Sequence, residues 1–138
     1  MKSLVTGGAG FIGSHLIDGL LEQGNEVIVL DNFSTGRLQN LSHVEDQIDI
    51  IECDLSNSGN WDRFFEGVTR VFHLAALADI VPSIENPRSY YEANVNGTFN
   101  VVEACKKYDI KKLIYSASSS CYGIPEVFPT PETAEIRP

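Results

Sequence analysis

Cysteine is scarce in this sequence, basic residues are outnumbered, and long apolar runs are missing; each shortage closes off a class of protein. The three cysteines, Cys53, Cys105 and Cys121, are odd in number, far apart and form no C-x-x-C pair. That argues against a disulfide scaffold and a structural zinc site, and a reducing, cytoplasmic setting is the expectation. Histidine is limited to His15, His43 and His73, none at metal-ligand spacing from carboxylates, so no metal is expected. Ten lysines and arginines face 19 acidic residues, a formal net charge of −9. Such a field repels phosphate backbones, so neither nucleic acid nor an anionic membrane surface is an expected partner. The scattered aromatics likewise offer no stacking stripe for bases. An anionic small molecule stays admissible, because a local helix end outweighs a distant net charge. No apolar run approaches the ~20 residues that span a bilayer, and the stretch Met1 to Thr6 reads as too short for a signal peptide.

What is present is an ordinary globular mixture, 43% hydrophobic and 21% charged over 138 residues. That is about one domain with a real core. Five short apolar runs read as strands: Ser3 to Thr6, Glu26 to Leu30, Ile48 to Glu52, Val71 to Leu74 and Leu113 to Ser116. Most are continuous rather than alternating, as expected of a parallel sheet covered on both faces. Ile12, Leu16, Leu20 and Leu21 space as one face of a first helix that Gly24 terminates. Tyr91, Val95, Thr98, Val102 and Cys105 give a second helical stripe, entered through Pro87. The Asn96-Gly97 dipeptide inside it is a local hairpin signal, but periodicity on both sides makes Gly97 a close-packing site instead. A short third helix is expected over Asp62 to Glu66, and Arg37 to Asp46 is ambiguous. Strands alternating with helices imply right-handed βαβ units and a doubly wound α/β fold of the Rossmann type. Pro125, Pro129, Pro131 and Pro138 break any regular element in the tail. The expectation is therefore that the chain is the front part of a longer protein, cut before the last strands and a substrate domain.

Chemistry enters at Gly7-Gly8-Ala9-Gly10-Phe11-Ile12-Gly13, which satisfies G-x-G-x-x-G from Gly8 and G-x-x-G-x-x-G from Gly7. Glycine spacing alone is a weak signal; a strand before it and a helix after it give it meaning. One glycine makes the tight turn, another admits pyrophosphate, and Gly13 permits close helix–strand packing. The unpaired N–H groups at the helix start favour an anion. Asp31, eighteen residues past Gly13 at the end of the second strand, suits the hydroxyls of an adenosine ribose. Its carboxylate repels a 2′-phosphate, so NAD is the expected cofactor; Arg37 nearby leaves NADP open.

Beyond the glycines, Asp31-Asn32, Cys53-Asp54-Leu55, His73-Leu74-Ala75-Ala76, Asn94-Val95-Asn96-Gly97-Thr98 and Ser116-Ala117-Ser118-Ser119-Ser120-Cys121-Tyr122-Gly123 follow in order. Together they resemble the extended short-chain dehydrogenase/reductases, and within them the nucleotide-sugar epimerases and dehydratases of the UDP-galactose 4-epimerase type. The resemblance covers essentially the whole chain. It implies cofactor contacts from Gly7, Gly10, Phe11, Ile12 and Gly13 in the turn, and from Asp31, Asn32, Ser34, Thr35 and Gly36 after the second strand. Asp54 and Leu55 would meet adenine, while Leu74, Ala75, Ala76 and Ala78 would line the passage of the cofactor. Asn94 would stabilise the strand region near the nicotinamide, and Ser116 would complete the set. Ser118 aligns with the catalytic serine, whose hydroxyl steadies the reacting sugar oxygen. Asp79, Ser83 and Ser119 would face a nucleotide-sugar substrate, a UDP-sugar foremost. Ala78 to Ser83 departs from the lysine or glycine that many family members carry there, which leaves the sugar open.

The family's proton-moving Tyr-x-x-x-Lys pair follows the serine strand, and it is missing here. Tyr108-Asp109-Ile110-Lys111-Lys112 has the spacing but precedes Ser118, and lysines at a helix end need no further reason. The expectation is a cofactor half that binds NAD weakly and turns over nothing alone, inside a parent enzyme that forms homodimers. Two alternatives are an NAD-sensing or scaffold member without the pair, and a dehydrogenase with an unrelated substrate domain. His15 and His73 are expected to be structural and His43 to lie on the surface.

Overall fold

The computed structural model describes residues 1–137; Pro138, expected to break regular structure, lies outside the described residues. Five parallel strands, β1 (Lys2–Thr6), β2 (Glu26–Asp31), β3 (Asp49–Glu52), β4 (Arg70–His73) and β5 (Lys112–Tyr115), form one sheet in the order β3-β2-β1-β4-β5. Each lies within two residues of its expected place. The chain winds outward from β1 to β3, then restarts at β4 on the other side of β1. This reversal opens a crevice beyond the carboxyl ends of β1 and β4, where open α/β sheets bind ligands.

Strand periodicity explains why the apolar runs are continuous. Leu4, Ile28 and Leu30 point to one face, among Trp61, Phe65, Val71, Val101 and Ala104. Val5, Val27 and Val29 point to the other, against Ile17, Leu20, Leu41 and Val44. Successive side chains alternate across a strand, so a run without polar gaps is what two covered faces require. Each fully buried Val, Leu or Ile contributes roughly 1.5–3 kcal/mol.

Helix α1 (Phe11–Glu22) covers the second face. It stops as expected: Gly24 adopts φ +70°, and the N–H groups of Gly24 and Asn25 donate to the carbonyls of Leu21 and Leu20. Its inward stripe differs from the expected one. Gly13, Ser14, Ile17 and Leu20 are buried, whereas Ile12 is 64% exposed. The glycine and serine bring the helix onto β1, which turns Ile12 outward to the crevice.

After α2 (Ile80–Glu85), one long helical segment runs as α3 (Pro87–Tyr91), a π turn (Glu92–Asn96) and α4 (Gly97–Lys107). The Asn96-Gly97 hairpin signal is overridden, as expected. Gly97 is buried on the Leu55–Ser56 backbone, but an added Cβ would lie 3.8 Å from its neighbours, so the packing leaves room for one methyl. The expected stripe fails in part: Tyr91, Val95 and Val102 are exposed, while Gly97, Val101, Ala104 and Cys105 are buried. Two physical causes combine. A π turn adds a residue to the helical cycle and shifts its faces, and α4 is apolar on two sides, so hydrophobicity could not say which faces inward. The expected third helix is a 3-10 helix, Asn60–Phe65, and the ambiguous Arg37–Asp46 region forms two more, Leu38–Leu41 and Glu45–Gln47.

Candidate cofactor site

The glycine turn leaves β1 at Thr6. Gly7 has φ +68°, and a Cβ there would sit 2.7 Å from the Ala75 nitrogen. A Cβ on Gly13 would strike the Gly7 carbonyl oxygen and come 2.7 Å from the Gly8 Cα. Only hydrogen fits at either position, so turn, helix and the loop after β4 close tightly. Helix α1 has Gly10 as N-cap, with no side-chain cap bond and no acidic residue in the first turn. The amides of Phe11, Ile12 and Gly13 precede the first intrahelical bond, from the Ser14 N–H to the Gly10 carbonyl at 3.0 Å. They form an anion-binding end, with no acidic side chain in the helix's own first turn to oppose an anion.

Asp31 ends β2 and is 7% exposed. Its Oδ2 accepts from the Ala9 N–H at 2.9 Å and its Oδ1 from the Phe33 N–H at 2.8 Å. The carboxylate therefore holds the glycine turn, and each oxygen keeps a lone pair for a further donor. Gly36 packs over it, since a Cβ there would approach the Ala9 Cβ to 2.9 Å. The Ala9 carbonyl accepts in turn from the Arg37 N–H at 3.0 Å and the Asn40 Nδ2 at 2.7 Å.

A cleft of about 620 Å³ runs from this turn across the carboxyl ends of the strands, within the range of small-molecule sites. Its lining includes Gly7, Gly10, Phe11, Ile12, Gly13, Asp31, Asn32, Ser34, Thr35 and Gly36, then Asp54, Leu55, Leu74, Ala75, Ala76, Ala78 and Ser116. Of the expected cofactor contacts, only Asn94 stands outside. It clamps the cleft wall from behind: its Oδ1 accepts from the Leu77 N–H at 2.8 Å and its Nδ2 donates to the Leu77 carbonyl at 2.9 Å.

His73, 1% exposed, is the hinge of the same wall. The Thr6 hydroxyl donates to its Nδ1 at 2.6 Å, and its Nε2–H donates to the Thr98 Oγ1 at 2.9 Å. Thr98 donates onward to the Asn94 carbonyl at 2.6 Å, which makes its oxygen the acceptor from histidine and assigns the tautomer. Thr6 Oγ1 also accepts from the N–H groups of Leu74 and Ala75 at 3.2 and 3.3 Å. Burial pulls the His73 pKa down to about 4, so the ring is neutral at pH 7. This is the structural role expected of it. His43 is exposed, as expected, and pairs with Asp18 at 2.8 Å; His15 is exposed too and lies 3.9 Å from Asp18.

The remaining candidates lie apart. Ser118 is exposed beyond β5 and does not line the cleft; its Oγ accepts from the Ser120 N–H at 3.2 Å, starting the 3-10 helix Ser119–Tyr122. Ser119 is exposed, Asp79 is exposed at the start of α2, and the Ser83 hydroxyl donates to the Ile80 carbonyl at 2.6 Å. None of these three lines the cleft. Tyr108 caps the end of α4 and packs under the core, away from the cleft.

Cys53, Ser56, Leu77, Ser89, Glu92 and Ala93 also line the cleft, beyond the residues expected there. The spacing of Ser89, Glu92 and Ala93, i, i+3 and i+4, was the available signal that one helical face turns toward the crevice. Burial, with the charges of Asp31 and Asp54, pushes the Cys53 thiol up to about 11, so it is a wall residue rather than a nucleophile. No described cluster of histidine, cysteine or carboxylate could hold a metal, and no described helix is long and apolar enough to cross a membrane.

A doubly wound sheet with an uncapped helix end, a glycine cradle and a buried carboxylate at its switch point defines a Rossmann-type dinucleotide-binding domain. Residues 3–138 match the model of the NAD dependent epimerase/dehydratase family, and the chain belongs to that family. It is 39% identical over 138 residues to a UDP-glucose 4-epimerase of Bacillus subtilis, covering 96% of this chain and 41% of the relative. Among solved structures, it resembles the Thermus thermophilus UDP-glucose 4-epimerase in complex with NAD, at TM-score 0.86 and 40% identity. That match covers 100% of this chain and 45% of the other. The Bifidobacterium longum UDP-glucose 4-epimerase with NAD+ and UDP gives TM-score 0.90 at 31% identity, covering 99% and 43%. The chain thus spans less than half the length of these relatives. The family's cofactor is NAD, and the glycine cradle, free helix amides and Asp31 fit it.

Proposed function

We propose that this chain is the cofactor half of an NAD-dependent nucleotide-sugar epimerase acting on a UDP-sugar. One observation carries the reading: the glycine turn, Asp31, the Asp54–Leu55 turn and Ser116 open on a single cleft. The amides of Phe11, Ile12 and Gly13 hold the pyrophosphate, Asp31 takes the ribose hydroxyls, and Asp54 with Leu55 receives adenine. Asn32, Ser34, Thr35 and Gly36 close the ribose side. Leu74, Ala75, Ala76 and Ala78, held by Asn94 and His73, carry the nicotinamide half. Bound NAD supplies the hydride acceptor that removes hydrogen from a sugar carbon and gives it back.

Ser118 orients the sugar oxygen, with Asp79, Ser83 and Ser119 on the substrate side. No Tyr-x-x-x-Lys follows Ser118 within these residues, so they hold no proton-moving pair of that kind. The whole protein works in the cytoplasm as a homodimer. Tyr91, Val95, Phe99 and Val102, exposed at 58, 50, 63 and 42%, form an apolar stripe along one side of the long helix that suits a second copy.

The test is to express the gene with whatever follows Pro138 and assay UDP-galactose to UDP-glucose conversion beside the 138-residue chain. Conversion by the longer product alone supports the reading. Turnover by the 138-residue chain would contradict it. NAD binding without turnover, and no tyrosine–lysine pair downstream, would favour a non-catalytic NAD-sensing or scaffold protein, the reading that the missing pair keeps in view.

A further inference from the structure

We propose that Asn100 is a positioning residue for the adenine end of the cleft, setting the Asp54–Ser56 turn from behind. Asn100 lies on α4 and does not line the cleft. Its Nδ2 donates to the Leu55 carbonyl at 2.8 Å and to the Ser56 carbonyl at 3.3 Å. Gly97, one helical turn earlier, rests on the same two residues with a Cβ position 3.8 Å from Leu55 and Ser56. A bare helical surface followed by a forked donor is thus matched to this one stretch of backbone.

The turn's other anchors act elsewhere. Asp54 Oδ1 accepts from the Ser56 N–H at 2.9 Å and Oδ2 from the Asn57 Nδ2 at 3.1 Å. The Asn57 N–H reaches the Asp54 carbonyl at 3.4 Å, Trp61 Nε1 donates to the Asn57 carbonyl at 3.0 Å, and the Leu55 side chain is buried in the core. All of these leave the Leu55 and Ser56 carbonyls unclaimed. Asn100 claims both and draws them toward the helix. Adenine's ring nitrogens are acceptors, so a carbonyl oxygen swung into the cleft would oppose them, whereas the Asp54 carboxylate suits the exocyclic amine. The arrangement parallels Asn94, which holds Leu77 in the opposite wall. One helix thereby sets both walls through two asparagines.

The inference rests on assigning the cleft to NAD with adenine over Asp54 and Leu55. Its test compares AMP with nicotinamide mononucleotide on the 138-residue chain, wild type and Asn100→Leu, with Asn100→Asp as a second variant of equal size. Losing a hydrogen bond of ordinary strength predicts about a tenfold rise in the Kd for AMP and an unchanged Kd for nicotinamide mononucleotide. Equal shifts for both ligands, or no shift in a folded variant, would overturn it. Amide hydrogen exchange of the ligand-free protein gives an independent readout. Exchange at Ser56 and Asn57 should quicken in both variants while that of the β1 and β2 strands holds; unchanged exchange at the turn overturns the proposal. If wild type binds no AMP, the cofactor assignment fails by itself, and the exchange result still decides what Asn100 does.

Discussion

The middle of this sheet and its β5 edge are built to different standards. Around β1 and β2, Leu4, Val5, Val27, Val29 and Leu30 are at most 1% exposed, and even the polar Ser3 and Thr6 are fully buried. At β5 and beyond, Leu113 is 37% exposed, Tyr115 54%, Ile124 91% and Phe128 75%. The first region carries Gly7 and Gly13, where backbone contacts admit no side chain, and Asp31, held by the Ala9 and Phe33 N–H groups. The second carries Ser118 and Ser119, whose described bonds run only to their own 3-10 turn. Cofactor-side geometry is thus a property of the fold's interior, and serine-side geometry is not.

Substitution sharpens that contrast. Gly7→Ala places a Cβ against Ala75 at a positive φ, combining strain with overpacking. The two together cost roughly 2–5 kcal/mol, and if the turn carries that cost into binding, NAD affinity should fall by at least about thirtyfold in titration calorimetry. Ser118→Ala should leave that affinity within about twofold, because the exposed hydroxyl supports no wall of the cleft. Equal losses would erase the distinction between the two regions.

His73 gives the next largest effect. Its folded pKa is about 4 against an ordinary 6.5, so the unfolded chain binds the extra proton first as pH falls. The stability this represents, on the order of 3 kcal/mol, is fully present above pH 6.5 and is lost progressively toward pH 4. Urea unfolding at pH 7.5 and 4.5 should show this loss in the wild type. His73→Gln should be less stable at pH 7.5 and lose less between the two; parallel slopes would rule out His73 as the source of the loss. The smallest effect should be Gly97→Ala. Room for a methyl and a better helix former predict a gain of up to about 1 kcal/mol, read as a raised thermal midpoint. A lowered midpoint would mean that α4 lies too close to Leu55 to admit the methyl.

The sequence is legible where local chemistry and topology coincide. The five strands, the glycine turn and Asp31 can be read together because a βα turn is local, and Gly24 ends α1 by its own positive φ. Facing is where legibility ends. Ile12 and Val102 are apolar yet exposed, since one lines the cleft entrance and the other sits on a helix with two apolar sides. The π turn at Glu92–Asn96 leaves no mark in the hydrophobic pattern. Asn40 and Asn100 are illegible for a different reason: their partners, Ala9 and Leu55, are 31 and 45 residues away, and nothing in an asparagine says whose carbonyl it will hold. Asn94 is legible only through family resemblance.

The central claim, that these residues hold a dinucleotide through the glycine turn, is tested most directly by amide chemical shifts during NAD titration. Saturable shifts are predicted at Phe11, Ile12, Gly13 and Leu55, with a Kd as weak as about a millimolar, and their loss in Gly13→Val. Shifts confined to Tyr122–Arg137, or shifts at the glycine turn that survive Gly13→Val, would contradict it.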